Sequence, residues 1–491
     1  MNAIAKIFQW PQVTEDTLGL ALWTSADLAE AMGGTASEAF QVSGVEIDSR
    51  DVIEGDLFFA LHGEAMDGHR FVESAFAKGA AAAVVEHPVD GPHILVADTN
   101  RALKMLGQAA RARPDAQIIA VTGSVGKTGV KEVLFAALDR SSRGAAHRSV
   151  KSYNNHVGVP LSLARMPARA KFGVFEMGMN HAGEIAALTL QARPHVAVIT
   201  TIAPAHIENL GSEEAIADAK AEVFEGLVPG GTAILPADSP HFARLKAAAE
   251  KAGATVVSFG LSASADVRLL DAVAAPGGGS MVTADMGDRR LCYTVGIPGQ
   301  HWVSNSLAVV AAVRAVGGNL GAAGLALAEM EGLAGRGAQI AIATPDGGEA
   351  LLIDESYNAN PASMRATVAQ LGATPAIRRI AILGAMKELG DYGPAFHAEL
   401  AGPIADAKVD KVILVGEEMR VLATILGADE LGKAPGLMLG KPAQFAHCLT
   451  PAEALAVLAR WGLQRGDVVL VKGSNSVGLG ALVGALAGKD G

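Results

Sequence analysis

Short, continuously apolar runs alternate with helix-like segments along most of the chain, and this alternation constrains the fold more than any other feature. Continuous apolar runs predict strands covered on both faces, because a strand with one solvated face alternates apolar and polar residues. Strands that alternate with helices predict βαβ units and parallel sheets. The predicted fold class is therefore α/β.

The predicted strands form two sets. The middle set is Gln117–Val121, Gly173–Glu176, Val196–Thr200 and Thr232–Leu235, and the later set is Leu351–Asp354, Ile380–Leu383, Val412–Val415 and Val468–Val471. The first hundred or so residues are more mixed, with a predicted helix at Ser25–Met32 followed by turns rich in Gly and Asp. Toward the end, Thr450, Pro451 and Glu453 predict a helix start with a capping box.

A chain of 491 residues is too long for one hydrophobic core. At roughly one domain per 150 residues, about three domains are expected. The alternation of predicted strands and helices is interrupted at residues 111–114 and 332–337. These breaks place the three domains at residues 1–114, 115–333 and 334–491. The central domain is predicted as a P-loop-type parallel sheet and the C-terminal one as a Rossmann-like α/β domain.

Composition excludes several classes of protein. Half of the residues are hydrophobic and 19% are charged, which is typical of a globular chain. The formal net charge of −11 argues against nucleic acid as the main ligand. We find no secretory signal pattern and no apolar segment long enough to cross a bilayer. Cys292 and Cys448 have no metal-type spacing, so we predict reduced core residues and a cytoplasmic protein without membrane insertion.

The strongest local signal is the segment GSVGKT, residues 123–128, between a predicted strand and a predicted helix. Backbone N–H groups at a glycine-rich helix start can cradle phosphates. Lys127 could reach the β- and γ-phosphates and Thr128 could bind Mg²⁺. The spacing departs from G-x-x-x-x-G-K-T/S, because Val121 stands where the first Gly would be. The strand–loop–helix context still favours an ATP site.

Preceded by Thr122, this loop resembles the T-G-x-x-G-K-T loop of the Mur ligase family. Further segments resemble that family's motifs in the same order: SYNNHVGVP at 152–160, FEMG at 175–178, APAH at 203–206 followed by Lys220, and DESYNANP at 354–361. Near the N-terminus, DSR at 48–50, GDLF at 55–58 and DGH at 67–69 resemble the family's UDP-sugar domain. SYNN and SYNANP resemble the branch that adds D-alanyl-D-alanine.

The resemblance implies an ATP-dependent ligase of peptidoglycan precursor synthesis. ATP and Mg²⁺ would convert the terminal carboxylate of UDP-N-acetylmuramoyl-tripeptide into an acyl phosphate, which the amine of D-alanyl-D-alanine then attacks. The N-terminal domain would bind the UDP-substrate, the central domain ATP, and the C-terminal domain both nucleotide and dipeptide. We expect no nucleic-acid partner. The sequence does not define the oligomeric state, and a monomer is favoured.

The resemblance also assigns roles to particular residues. Lys127, Glu176, His206 and Lys220 would be catalytic, and Thr128, Glu176, His206 and Lys220, the last as a carbamate, would bind metal. Nucleotide would be bound by Gly123, Ser124, Val125, Gly126, Lys127, Thr128, Asn305, Arg336 and Asp354. Substrates would be bound by Ser49, Arg50, Asp67, His69, Asn154, Asn155, Tyr357, Asn358 and Asn360. Without the resemblance, Lys220 would be read as a solvated lysine and His206 as an ordinary turn histidine.

The chain departs from the family pattern at four positions. Trp302 replaces an Asn, Glu355 a frequent Asp, Ala385 an Asp and Asn475 an Arg. Two alternatives stay open: a related Mur-type or folylpolyglutamate-type amide ligase, and a non-catalytic nucleotide-binding switch. Whether the tripeptide carries diaminopimelate or lysine also stays open.

Overall fold

The computed structural model describes residues 21–63, 66–276, 278–427 and 444–488. Within these ranges the chain forms three large sheets and one two-stranded sheet. The sheets hold residues 35–95, 117–295 and 338–472, which fall within the three predicted domains, although the boundaries themselves remain a prediction. The first twenty residues, for which we predict no secretory signal, lie outside the described ranges.

The first part of the chain builds a five-stranded sheet in the order β2-β7-β6-β5-β4, and β1 pairs with β3. Its elements are β1 Trp23–Thr24, α1 Ser25–Met32, β2 Thr35–Ala36, β3 Gln41–Val42, β4 Gly44–Glu46, β5 Asp56–Phe59, α2 Val72–Ala77, β6 Ala82–Val85, β7 His93–Leu95 and α3 Thr99–Ala112. Strands β4 to β7 are parallel, and β5 and β6 are buried along their whole length.

The middle part builds a nine-stranded sheet in the order β16-β15-β14-β13-β12-β11-β8-β10-β9. Its strands are β8 Gln117–Thr122, β9 Ala146–Arg148, β10 Phe172–Glu176, β11 Val196–Ile199, β12 Thr232–Pro236, β13 Thr255–Gly260, β14 Val267–Ala274, β15 Ser280–Asp285 and β16 Arg290–Val295. Its helices are α4 Lys127–Ser142, α5 Gly158–Ala164, α6 Glu184–Ala192, α7 Ile207–Leu210, α8 Glu213–Ala221, α9 Phe242–Lys251, α10 Gln300–Ala315 and α11 Leu320–Ala328.

Strand β8 lies between β10 on one side and β11 on the other, and all three are parallel. The chain first fills one side of β8 and then crosses to the other. At such a reversal of strand order the loops after neighbouring strands diverge and leave a crevice at the carboxyl edge of the sheet. The phosphate-loop segment follows β8 at this point.

The last part builds a six-stranded sheet in the order β17-β18-β22-β19-β20-β21, parallel except for the β17–β18 pair. Its elements are β17 Ala338–Ala343, β18 Glu349–Glu355, α12 Pro361–Ala373, β19 Arg378–Gly384, α13 Gly393–Ala398, α14 Ala401–Asp406, β20 Lys411–Val415, α15 Arg420–Gly427, β21 Gln444–Cys448, α16 Pro451–Trp461, β22 Asp467–Lys472 and α17 Leu479–Leu486.

The predicted helix at Ser25–Met32 and all eight predicted strands are confirmed, with shifts of one or two residues at some strand ends. Two details were wrong. Cys292 is exposed on the edge strand β16, whereas Cys448 is buried, and both are free thiols. At the start of α16 the Thr450 hydroxyl accepts from Glu453 N, but the Glu453 carboxylate accepts from Leu449 N rather than Thr450 N. The helix therefore has an N-cap without the reciprocal bond of a capping box.

No helix in the described residues combines the length and the apolar character needed to cross a bilayer.

Candidate functional site

A cavity of about 990 Å³ lies where the carboxyl edge of the middle sheet meets the last part of the chain. Thirteen of the predicted site residues line it: Ser124, Val125, Gly126, Lys127, Asn154, Glu176, His206, Lys220, Asn305, Arg336, Tyr357, Asn358 and Asn360. The fold thus brings together side chains that are more than two hundred residues apart in sequence.

The phosphate loop enters α4 through Gly126, which has a left-handed backbone (φ 88°) and offers no side-chain cap. The amide of Asn305, from α10, packs closely on it, since a Cβ at Gly126 would lie 2.6 Å from Asn305 Nδ2. Glycine is therefore required both by the backbone and by this contact. The uncapped N–H groups and the helix dipole of α4 suit a bound anion.

The segment after β11 holds the loop rigidly. Ser124 N donates to Thr201 O at 2.8 Å, and the Ser124 hydroxyl donates to Ala203 O at 2.8 Å. The Thr200 hydroxyl donates to Val125 O at 2.6 Å. Buried hydrogen bonds of this kind fix a loop in a single conformation.

Lys127 folds back over the loop, and its Nζ donates to Gly123 O at 2.7 Å. Burial lowers the pKa of the Lys127 ammonium, and the Glu176 carboxylate opposes this shift. The lysine is therefore held beside the helix N-terminus, where a phosphate oxygen could replace the carbonyl as its partner.

Glu176, the last residue of β10, is buried at the centre of a polar cluster. Its Oε2 accepts from the Thr128 hydroxyl at 2.8 Å, and its Oε1 accepts from Asn154 Nδ2 at 2.7 Å. Carboxylate and hydroxyl oxygens are the hard donors that Mg²⁺ prefers. The donor set around Glu176 therefore fits a magnesium ion.

Two residues that the sequence analysis did not single out position the segment at 149–155. Lys131 is fully buried, and its Nζ donates to Ser149 O at 2.8 Å and Lys151 O at 2.7 Å. Ser152 Oγ lies 3.4 Å from the Thr128 hydroxyl and accepts from Arg336 at 3.1 Å. The spacing of four residues from Lys127, which puts Lys131 on the same side of α4, is the signal that could have identified it.

Lys220 was expected, from the residues alone, to be a solvated lysine on α8. Instead it is 2% exposed and lines the cavity. Among the described residues its Nζ has no hydrogen-bond or ion-pair partner. Burial lowers the pKa of the Lys220 amine well below its ordinary value, and the charge of Lys127 lowers it further. A neutral amine at this position is favoured.

The last part of the chain supplies the opposite wall of the cavity. The Arg336 guanidinium stacks on the Tyr357 ring at 4.0 Å while it donates to Ser152. Asn360 caps α12, with its Oδ1 accepting from Ser363 N at 2.9 Å. Lys472 Nζ donates to Asn358 O at 3.0 Å and to the Glu355 carboxylate at 3.2 Å. This wall therefore mixes cations with amide groups.

Some predicted residues do not line this cavity. The Asp354 carboxylate is buried and accepts from Gly335 N at 2.7 Å and from the Ser356 hydroxyl at 2.6 Å. It therefore holds the loop that carries Arg336 and does not face the cavity. Asn155 similarly accepts from Gly158 N at the start of α5. Gly123 and Thr128 lie beneath the surface of the cavity.

The N-terminal candidates Ser49, Arg50, Asp67 and His69 also lie outside it. His69 Nδ1 donates to Asp67 at 2.7 Å and its Nε2 accepts from Glu86 N at 2.9 Å, so both ring nitrogens are occupied. Arg50 is exposed and pairs with Asp48, and the guanidinium lowers the pKa of that carboxyl to about 2. These residues are available only to a ligand that extends over the first domain.

Trp302 packs its ring on Gly129 of α4, where a Cβ would lie 2.1 Å from Trp302 Cη2. The large Trp302 side chain therefore fits here because a glycine, Gly129, faces it.

Three protein-family models match consecutive parts of the chain. Residues 41–124 match "Mur ligase family, catalytic domain", residues 121–313 match "Mur ligase middle domain", and residues 342–475 match "Mur ligase, glutamate ligase domain". The chain belongs to the Mur ligase family. The resemblance and the α/β fold class are thereby confirmed. This Mur ligase is an ATP-dependent amide ligase, so the alternative of a nucleotide-binding switch is wrong.

Similar proteins cover nearly its full length. The UDP-N-acetylmuramoyl-tripeptide–D-alanyl-D-alanine ligase of Synechocystis is 36% identical, covering 92% of this chain and 94% of that protein. The Escherichia coli ligase of the same name is 32% identical, with 94% and 98% covered. A crystal structure of MurF from Acinetobacter baumannii superimposes with a TM-score of 0.79 at 30% identity, with 95% and 99% covered.

Proposed function

We propose that this Mur ligase joins D-alanyl-D-alanine to UDP-N-acetylmuramoyl-tripeptide, with ATP hydrolysed to ADP, in cytoplasmic synthesis of the peptidoglycan precursor. The observation that carries the proposal is the cluster of Lys127, Thr128 and Glu176 at one end of a cavity whose other wall contains Tyr357 and Asn358. The full-length relatives bear the name of this reaction.

The chain's own groups would bind and orient the triphosphate. The N-terminus of α4 and the Lys127 ammonium would hold the β- and γ-phosphates. Asn305 would lie beside the nucleotide, and Arg336 would bring a second cation from the third domain. Asp354 would contribute indirectly, because it holds the loop that carries Arg336.

Mg²⁺, bound by Thr128 and Glu176 and at a second position by His206 and carbamylated Lys220, would screen the two anions that must meet. The buried, neutral Lys220 amine suits carbamylation. Its nitrogen would bond to the carbon of CO₂ with loss of one proton, and a carboxylate-like group would result.

In the first step a tripeptide carboxylate oxygen would bond to the γ-phosphorus while the bond to ADP breaks. The dipeptide amine would then attack the acyl carbon, and phosphate and one proton would leave. Lys127 and Arg336 would stabilise the phosphoryl oxygens. Tyr357, Asn358 and Asn360 would orient the dipeptide, and Asn154 and Asn155 would position the substrate segment near the phosphates.

The finer organisation is also proposed. Residues 1–114, with Ser49, Arg50, Asp67 and His69, would hold the UDP-sugar, residues 115–333 the ATP, and residues 334–491 the dipeptide. The active unit would be a monomer that needs neither nucleic acid nor membrane insertion.

The decisive experiment measures ADP release with ATP, Mg²⁺, UDP-N-acetylmuramoyl-tripeptide and different acceptors. Release is expected only when both the UDP-tripeptide and D-alanyl-D-alanine are present, and free D-alanine, lysine or diaminopimelate should not replace the dipeptide. Tripeptides ending in diaminopimelate and in lysine should be compared in parallel. ADP release with a folate and glutamate, but not with these substrates, would contradict the proposal.

Lys127→Ala should lower ATP turnover by on the order of 10³-fold, because the phosphates lose their principal cation. Lys171→Ala, which removes an exposed lysine before β10, is the matched control and should retain activity. A fully active Lys127→Ala enzyme would show that the triphosphate binds elsewhere.

A further inference from the structure

The third domain touches the middle domain beside the cavity through the segments 206–208 and 388–390. His206 Nδ1 lies 2.5 Å from Glu388 Oε2, and Glu208 N donates to Glu388 O at 3.2 Å. A Cβ on Gly390 would lie 3.3 Å from Glu208 Cγ, so the two backbones are closely apposed. One buried apolar cluster includes residues from both domains, among them Ile207 and Leu389.

Both His206 and Glu388 have left-handed backbones, with φ values of 60° and 63°. For residues other than glycine this conformation costs on the order of 1–2 kcal/mol each. Such strain persists where the surrounding structure imposes it, and it concentrates at functional sites. Two residues with this backbone conformation face each other across the domain contact.

The two side chains have few other partners. His206 Nδ1 is buried and makes no hydrogen bond with good geometry among the described residues, and the Glu388 carboxylate is the charged group that contacts it. The neighbouring Lys387 pairs with Glu418 instead of Glu388. The Glu388 carboxylate therefore lies on the Nδ1 side of the His206 ring, and His206 lines the cavity.

We propose that Glu388 is a positioning residue for His206, supplied by the third domain. Its carboxylate holds the proton on Nδ1, and the unprotonated Nε2 is then directed into the cavity. Histidines that bind metals are commonly oriented by a carboxylate on the other ring nitrogen. The proposal rests on the proposed function, in which His206 helps to hold Mg²⁺. It adds that the ring is oriented only while the third domain packs against the middle one.

Glu388→Ala and Glu388→Gln test the proposal in the full-length protein, with Glu417→Gln as control. Glu417 lies in the same domain and pairs with Arg420, so this change removes a carboxylate without touching His206. The ring tautomer of His206 is read by nitrogen-15 NMR, with the signal assigned by its loss in His206→Gln. Mn²⁺ affinity is measured separately by electron paramagnetic resonance.

The wild type and Glu417→Gln should show the Nδ1–H tautomer. Glu388→Ala should shift the signal toward the Nε2–H tautomer and weaken Mn²⁺ binding by about 10-fold or more. The amide oxygen of Glu388→Gln can still accept from Nδ1–H. Its tautomer signal and Mn²⁺ affinity should therefore lie between those of the wild type and Glu388→Ala. In the ligase assay, Glu388→Ala should raise the Mg²⁺ concentration needed for half-maximal rate, with KM for the UDP-tripeptide unchanged.

A wild-type tautomer and wild-type Mn²⁺ affinity in Glu388→Ala would overturn the proposal, even if the variant were less stable. Failure of the wild type to bind Mn²⁺ would overturn it as well. A different result would contradict the proposed function: no ADP release from the wild type when both substrates are present. The tautomer measurement does not depend on that result.

Discussion

Three lysines are buried in or near the site, and their surroundings differ. Lys131 and Lys472 each donate to oxygen acceptors and so hold neighbouring segments in place. Lys220 has no such partner among the described residues and lines the cavity. An ammonium buried without a partner is costly, and burial accordingly lowers the pKa of the Lys220 amine. The same residue type therefore has two different roles within one site.

If Lys220 carries the proposed carbamate, Lys220→Ala should lower ligase activity by on the order of 10²-fold or more, because the second metal position would lose that carboxylate-like group. Short carboxylic acids such as formate or acetate should partly restore the rate by occupying the vacated space. The ADP release assay, with and without added acid, measures this.

Lys131→Ala provides the matched control for this rescue. It removes another buried lysine, but one that holds the backbone at Ser149 and Lys151. Its loss of activity should not respond to carboxylic acids. Wild-type activity in Lys220→Ala would eliminate the carbamate hypothesis.

At the scale of secondary-structure elements, the start of α4 is held in place by its contact with α10. Gly129 faces the Trp302 ring and Gly126 faces the Asn305 amide, so two side chains of α10 pack directly on the backbone at the start of α4. The phosphate loop therefore depends on a helix that lies more than 170 residues further along the chain. This contact is specific to a chain that carries Trp302.

Gly129→Ala should destabilise the protein by about 1–3 kcal/mol, because the new methyl group overlaps Trp302. In a Trp302→Ala background the same change should instead stabilise by up to about 1 kcal/mol, since alanine favours a helix over glycine. Urea unfolding of the four proteins in this cycle measures both effects. Equal effects of Gly129→Ala in the two backgrounds would show that the ring does not limit the space at Gly129.

At the scale of the whole molecule, several histidines are held neutral in the folded state. Burial lowers the pKa of His147 from 6.5 to about 4, and its Nε2–H donates to Ser162 O at 2.7 Å. Burial also lowers the pKa values of His195, His301 and His397. Between pH 6.5 and 4 the unfolded chain binds protons that the folded chain does not. The contribution of the neutral His147 to the free energy of unfolding is therefore fully present above this window and is lost as the pH falls through it.

His147→Gln should flatten this pH dependence, because glutamine can keep the bond to Ser162 O and does not titrate. Each histidine contributes at most about 1.4 kcal/mol per pH unit to the slope of unfolding free energy. Unfolding by urea at several pH values between 7.5 and 4.5 gives the slopes of the two proteins. Parallel curves would show that His147 is already accessible to protons in the folded protein.

Cross-domain contacts complete the site at this scale. Arg336 reaches Ser152, and Glu388 reaches His206, so the third domain contributes a cation to the cavity and a carboxylate to a residue that lines it. Neither contact could be read from spacing, because the paired residues are more than 180 positions apart.

The amino-acid sequence alone determined the α/β class, the eight strands of the two larger sheets and the phosphate loop after β8. These features are local: an apolar run or a glycine-rich turn carries its own signal within a few residues. The family motifs also indicated which side chains would meet at Glu176.

The tertiary structure decided what surrounds each side chain. It exposed Cys292, turned the Asp354 carboxylate toward Gly335 and away from the cavity, and buried Lys220 beside the cavity. Burial and charge environment depend on elements that pack from distant parts of the chain, and no short window of sequence contains them. For the same reason the contact between Glu388 and His206 emerged only when both domains had been folded against each other.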